Sequence, residues 1–144
     1  NFSKRLIKSP KLYFYDTGLL SWLLGAKQPE QITTHAMRGA LFENFIISEF
    51  LKNQYAKGEP SSLYMWRDNK GLEIDLIVDQ GAKLIPIEIK SGQTIASDFF
   101  KNLKKWQALA GDQGGQALLI YGGDQNQQRT HAKVLSWRAL DEIF

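Results

Sequence analysis

Glu88 and Lys90 stand two residues apart in IPIEIKSG (85–92), inside an otherwise apolar run. A charge in a buried strand is costly unless something pairs with it. Either this strand is half exposed, or the two charges share a polar pocket. Earlier, LEIDLIV (72–78) carries Glu73 and Asp75 at the same spacing. Side chains alternate along a strand. Glu88 and Lys90 then face one way, and Ile85, Ile87 and Ile89 the other. Glu73 and Asp75 share a face, opposite Leu72, Ile74 and Leu76. The short turn DQGAK (79–83) makes the two strands neighbours. If they pair as that turn implies, Asp75 and Glu88 fall close together with Lys90 beside them. Two carboxylates and an ammonium on one sheet face form a site for a hard divalent cation, Mg²⁺ or Mn²⁺, and a water. Such a cation neutralises a non-bridging phosphodiester oxygen and lowers the pKa of water. The lysine stabilises developing charge or orients the attacking water. Glu43, in GALFEN on a long helix, is a fourth candidate. Gly39, one turn earlier, would let that helix approach the sheet. The same spacings also occur in ordinary half-exposed antiparallel pairs, where cross-strand Glu–Lys contacts are common.

The elements that must position these residues follow from pattern. LYFYDTGLLSWLLG (12–25) begins as an aromatic strand-like run. Asp16 or Thr17 then caps a short helix through Leu24, which Gly25 stops. KQPEQITTH (27–35) reads as a polar connector. A long helix is expected over 36–55, with Phe42, Phe45, Ile46 and Phe50 at helical spacing and Leu41 and Ile47 widening the stripe. Strands 63–67, 72–78 and 84–90, joined by DNKG and DQGAK, form an antiparallel meander. A helix over 97–110, with Phe99, Phe100, Leu103, Trp106 and Leu109 inward, acts as crossover to the apolar strand QALLIYGG (116–123). That strand should lie parallel to 84–90, with the usual right-handed connection. DQNQQRTH (124–131) is a polar, mobile loop, and 132–144 gives a last strand and a short helix. The class is α/β: a mixed sheet, antiparallel meander plus parallel crossover strand, flanked by helices.

At these residues the chain resembles a known group. Asp75, the thirteen-residue step to Glu88, and Lys90 match the D…(D/E)xK pattern of the restriction-endonuclease-like PD-(D/E)xK superfamily. Glu43 matches the helix glutamate that many members add. More narrowly, SPKLYFYDTGLLSWLLG, RGALFENFIISEF, YMWRDNKGLEIDLIV and PIEIKSG, in that order, are similar to the uncharacterised C-terminal domain of bacterial and archaeal AAA-type ATPases. The similarity runs from about Ser9 to Tyr121. It implies a restriction-endonuclease-like fold, with Glu43, Asp75 and Glu88 as ligands of Mg²⁺ or Mn²⁺ and Lys90 as base or electrostatic stabiliser. It also implies an ATPase module preceding this domain in the same chain. NFSKRLIK (1–8) would then be the tail of a linker, and 9–144 a single nuclease-like domain. The chain carries no Walker A sequence, so ATP binding is not assigned to it.

Other residues admit two readings each. Trp66 and Arg67 could stack a base and bind a phosphate, or Trp66 packs under the turn and Arg67 pairs with Glu73 or Asp75. Gln107 lies where some related nucleases carry a functional glutamine, or is simply solvated. Lys101, Lys104 and Lys105 could track a phosphate backbone, or form a solvated helix face. Tyr13, Phe14, Tyr15 and Trp22 are core, or a surface that docks the ATPase module. His35 and His131 are isolated in polar segments.

Composition bounds the rest. The chain has 144 residues, 43% hydrophobic and 23% charged, as in an ordinary globular domain, with a formal charge of +3. It has no cysteine, which excludes disulfides and thiolate metal sites. No apolar run approaches the ~20 residues of a membrane span. No secretory signal is visible, which points to the cytoplasm. The charge is compatible with nucleic acid without demanding it, and the resemblance implies nucleic acid, DNA ahead of RNA, as the partner. The competing expectation is a catalytically inactive DNA- or protein-interaction module on the same fold.

Overall fold

The computed structural model describes residues 11–143. The linker tail expected over 1–8 lies outside them. The chain forms a mixed six-stranded sheet, in the order β1-β2-β3-β4-β6-β5, with helices on both faces. The strands are β1 (Leu63–Arg67), β2 (Glu73–Asp79), β3 (Leu84–Lys90), β4 (Leu118–Tyr121), β5 (Gln127–Gln128) and β6 (Lys133–Ser136). The meander β1-β2-β3 is antiparallel, as its tight turns require. At the first turn Asp68 Oδ1 accepts the Lys70 and Leu72 N–H groups, and Gly71 takes φ +84°. After β3 the chain crosses over and returns as β4, parallel to β3, and β6 runs parallel to β4.

The helices are α1 (Thr17–Leu23), α2 (Pro29–Thr34), α3 (Arg38–Ala56) and α4 (Lys101–Ala110). Asp16 caps α1 through the Leu19 N–H, and Gly25 follows it at φ +86°. On one face of the sheet α3 packs Ile46, Ile47 and Phe50 against Leu76, Ile87, Ile89, Leu118, Ile120 and Leu135. On the other, Leu103, Trp106 and Ala110 of α4 pack against Ile74, Ile77, Leu119 and Val134.

Several expectations need correction. The connector over 27–35 contains α2, held by a capping box between Gln28 and Gln31. The polar 124–131 segment contains β5, which pairs with β6 at the sheet edge. The crossover helix starts with a 3-10 turn, Ser97–Phe100, and Leu109 lies exposed instead of inward. A Cβ on Gly39 would meet nothing within 4 Å, so this glycine is not what brings α3 to the sheet. The aromatic run at 12–15 is not a strand. Its backbone is held by a side chain: Asn44 of α3, buried, accepts the Phe14 N–H at 2.7 Å and donates to the Phe14 carbonyl at 2.8 Å. The amide thus satisfies one backbone donor and one acceptor, as a neighbouring strand would. Phe14 and Tyr13 are half-buried, but Tyr15 and Trp22 are exposed, which removes those two from the core.

Candidate active site

The site begins with an irregularity in β2. Tyr64 pairs with Ile77 but Trp66 pairs with Ile74, so β2 carries one residue more than β1 across this stretch. An extra residue resets the alternation of side chains. Ile74 and Ile77 accordingly both belong to the α4 side, and Leu76 to the α3 side. The expectation that Ile74 and Leu76 share a face is therefore wrong, and Asp75 sits where the parity slips. The regular β2–β3 register runs from Asp79↔Leu84 to Leu76↔Ile87. Beyond it, the Ile89 N–H is bonded by the Asp75 carboxylate, Oδ2 accepting at 2.8 Å. The side chain replaces a ladder carbonyl, and that bond fixes the carboxylate against β3.

Strand β3 keeps its alternation. Ile87 and Ile89 lie on the α3 side, and Glu88 pairs in register with Leu119 of the α4 side. Lys90 then closes the group. Its Nζ donates to Glu88 Oε1 at 2.6 Å and lies 3.6 Å from Asp75 Oδ2. Asp75, Glu88 and Lys90 are brought together, as expected from the spacing and the antiparallel pairing of β2 with β3.

The electrostatics of this group are tense. Glu88 is buried, and its Oε2 has no hydrogen-bond partner among the described residues. Burial first, and the Asp75 charge second, raise the Glu88 pKa to about 7 against the pull of Lys90. Burial also raises Asp75, opposed by Lys90 and the Ile89 N–H. For Lys90, burial disfavours the ammonium, but Asp75 and Glu88 outweigh it and its pKa rises.

Glu43 belongs to a second, adjoining group. Its Oε1 accepts the Tyr13 hydroxyl at 2.7 Å and the Lys11 ammonium at 3.1 Å. Lys11 also lies 2.6 Å from Glu73 Oε1. Burial and Glu43 together raise the Tyr13 pKa well above its usual value. Glu43 also contributes to raising Asp75, so the two groups are electrically coupled. Sequence reasoning missed Lys11 and Tyr13, which lie outside any periodic pattern. Glu73 was visible as the partner of Asp75 in E-x-D.

Among the described residues no three His, Asp or Glu side chains come close enough to form a metal-ligand cluster. The carboxylates instead form two pairs, each spanned by a lysine. Two carboxylates still suit Mg²⁺ or Mn²⁺, because such ions take one or two protein carboxylates and fill the remaining positions with water and phosphate oxygens. The unpartnered Glu88 oxygen is the feature that fits a cation best.

The remaining candidates are dispersed. Trp66 packs edge-on against Trp106, centroids 6.5 Å apart, and the exposed Arg67 lies 3.7 Å from Glu73. Gln107 reaches the Gly115 carbonyl at 3.4 Å, away from the carboxylates. Lys101, Lys104 and Lys105 are exposed on α4, and Lys101 and Lys105 border a shallow cleft with Lys70. His35 lies against the Leu24 carbonyl and the Met37 N–H.

No helix among the described residues is long and apolar enough to cross a membrane. No solved structure matches the chain. Two curated relatives match, an uncharacterized protein of Mycobacterium bovis and an uncharacterized protein of Mycobacterium tuberculosis. Each is 31% identical over 124 residues, covering 86% of this chain and 26% of the relative. The chain therefore spans about a quarter of the length of these relatives. Residues 1–30 match a domain of unknown function, DUF8612. Over residues 38–140, which include Glu43 and the whole Asp75–Glu88–Lys90 group, the match is to another such description, and the chain belongs to that family, the domain of unknown function DUF4143.

Proposed function

We propose that this chain is a phosphodiester-hydrolysing module of the PD-(D/E)xK, restriction-endonuclease-like kind, acting on nucleic acid within a longer ATPase protein. The observation that carries the reading is the buried Glu88 oxygen without a partner, beside Asp75 and capped by Lys90. Buried, perturbed carboxylates held against a cation are costly in a fold that needs them only for packing. A divalent cation held by Asp75 and Glu88 would supply charge neutralisation at the scissile phosphate and a more acidic water.

The chain's own residues do the rest. Asp75 is aimed by the Ile89 N–H, so its carboxylate does not swing away. Lys90, with its raised pKa, stays an ammonium at neutral pH. It is therefore a stabiliser of phosphate charge, not a general base. Lys11 and Tyr13 hold Glu43 in place beside the pair and limit the negative charge that Asp75 meets.

The test is cleavage of single- and double-stranded DNA in Mg²⁺ and in Mn²⁺. Glu88→Gln should abolish it, and Lys90→Met should slow it about a hundredfold or more, as for other charge-stabilising donors. Cleavage that persists unchanged in both variants would end this assignment. DNA binding that survives Glu88→Gln, with no cleavage in either metal, would favour the second reading: an inactive interaction module of the same ATPase. The exposed Tyr15, Leu19 and Trp22 near α1 support that alternative.

A further inference from the structure

A second feature lies at the carboxyl ends of the parallel strands. Ser91 follows β3, Gly122 follows β4 and Trp137 follows β6, and all three border one cleft of about 460 Å³. Open α/β sheets gather ligands at the carboxyl ends of their strands. The floor of this cleft is backbone. Gly122 donates to the Lys90 and Gly92 carbonyls at 3.0 and 3.1 Å. A Cβ on Gly122 would stand 2.4 Å from the Ser91 oxygen, so only glycine lets these strand ends close up.

One wall is aromatic. Trp137 meets Phe42 and Phe45 of α3 edge-on, with ring centroids 6.5 and 5.8 Å apart. The Arg138 guanidinium lies 4.4 Å from the indole centroid and is paired with Asp124. The opposite charge carrier is Arg38. It donates to the Ser91 carbonyl at 2.7 Å and to the Thr33 carbonyl at 3.5 Å, and among the described residues no carboxylate lies within ion-pair distance of it. A guanidinium has five N–H donors, so Arg38 keeps donors and an uncompensated charge for an anion. It also opens the 19-residue helix α3, whose N-terminal dipole favours the same sign of ligand.

An aromatic wall of edge-on rings, beside a guanidinium with no carboxylate partner among the described residues, suits a ligand with a planar ring at one end and an anion at the other. We infer that this cleft binds one nucleotide, its base against Phe42, Phe45 and Trp137 and its phosphate at Arg38. The nucleotide is either free or an unstacked unit of a single strand. The choice of a nucleotide over other aromatic anions rests on the phosphodiester reading of the neighbouring carboxylates. Binding here uses neither those carboxylates nor a metal.

The experiment is titration of the metal-free protein, in EDTA, with dAMP, deoxyadenosine and a six-residue deoxyadenylate strand, following the Trp137 indole N–H resonance. dAMP should move it saturably, and deoxyadenosine should bind about tenfold more weakly or worse, the loss of one charge-assisted contact. Arg38→Met should bring dAMP down to the level of deoxyadenosine. A strand that binds more tightly than dAMP identifies a single-strand unit as the ligand, and the reverse identifies a free nucleotide. No saturable shift with any of the three probes, or equal binding of dAMP and deoxyadenosine by the unsubstituted protein, would overturn the inference. If dAMP binds as described but no metal-dependent cleavage is found, the hydrolytic reading fails and the pocket stands.

Discussion

Glu88 gives up water on folding and gains one ammonium contact, and one of its oxygens gains nothing. An unfolded glutamate titrates near 4.5, while folded Glu88 titrates near 7. Between those values the folded chain binds more protons than the unfolded chain. Stability from this group is therefore full below about 4.5 and is lost as pH rises through 7. Glu88→Gln removes the penalty. The variant should match the unsubstituted protein in urea unfolding at pH 5. At pH 8, without metal, it should be more stable by on the order of 2 kcal/mol. A variant less stable at pH 8 would mean that the Lys90 contact outweighs the burial of the charge. The three residues of this group were legible as types at a spacing. Their closeness was legible too, from the short turn that pairs β2 with β3; the bond that the Ile89 N–H makes to the Asp75 carboxylate was not, because nothing in LEIDLIV announces the irregularity in its pairing with β1.

At the scale of elements, the meander and the parallel return were readable. Tight turns at DNKG and DQGAK leave an antiparallel pairing as the simplest connection, and an amphipathic helix before an apolar strand makes a crossover. The N-terminal segment was not readable. Its aromatic alternation resembles a strand, but the partner that satisfies its backbone is a helix side chain, and a buried asparagine has no periodic signature. Asn44→Ala should cost about 1–3 kcal/mol, since it deletes both bonds to Phe14 and leaves the Phe14 N–H without a partner, while the Ser48 hydroxyl still donates to the Phe14 carbonyl. It should also loosen Lys11 and Tyr13 from Glu43, because Phe14 is their anchor to α3. Urea denaturation measures the first effect. A loss below about 0.5 kcal/mol, the range of an inconsequential surface change, would show that the segment is held by other contacts.

Across the whole molecule, the candidate sites collect where regular pairing ends. The β2–β3 ladder gives way to the Asp75 carboxylate, and the parallel strands β3, β4 and β6 release their chains around the aromatic cleft. Both features lie at the Lys90–Ser91 step of β3, which therefore joins a carboxylate pair to a cationic, aromatic wall. The residues at this junction come from four stretches of sequence, which is why Arg38 and Trp137 could not be singled out by motif. On the proposed reading, a divalent cation would relieve the lysine-bridged carboxylates at a pH where protonation of Glu88 no longer does. The most direct measurement is calorimetric titration of Mn²⁺ into the protein at pH 7, in two buffers of different ionisation enthalpy. One ion should bind per chain with release of protons, since burial and the Asp75 charge raise the Glu88 pKa, and Asp75→Asn should abolish the binding. Binding that is absent in the unsubstituted protein, or that persists without proton release in Asp75→Asn, would contradict a metal held by Asp75 and Glu88.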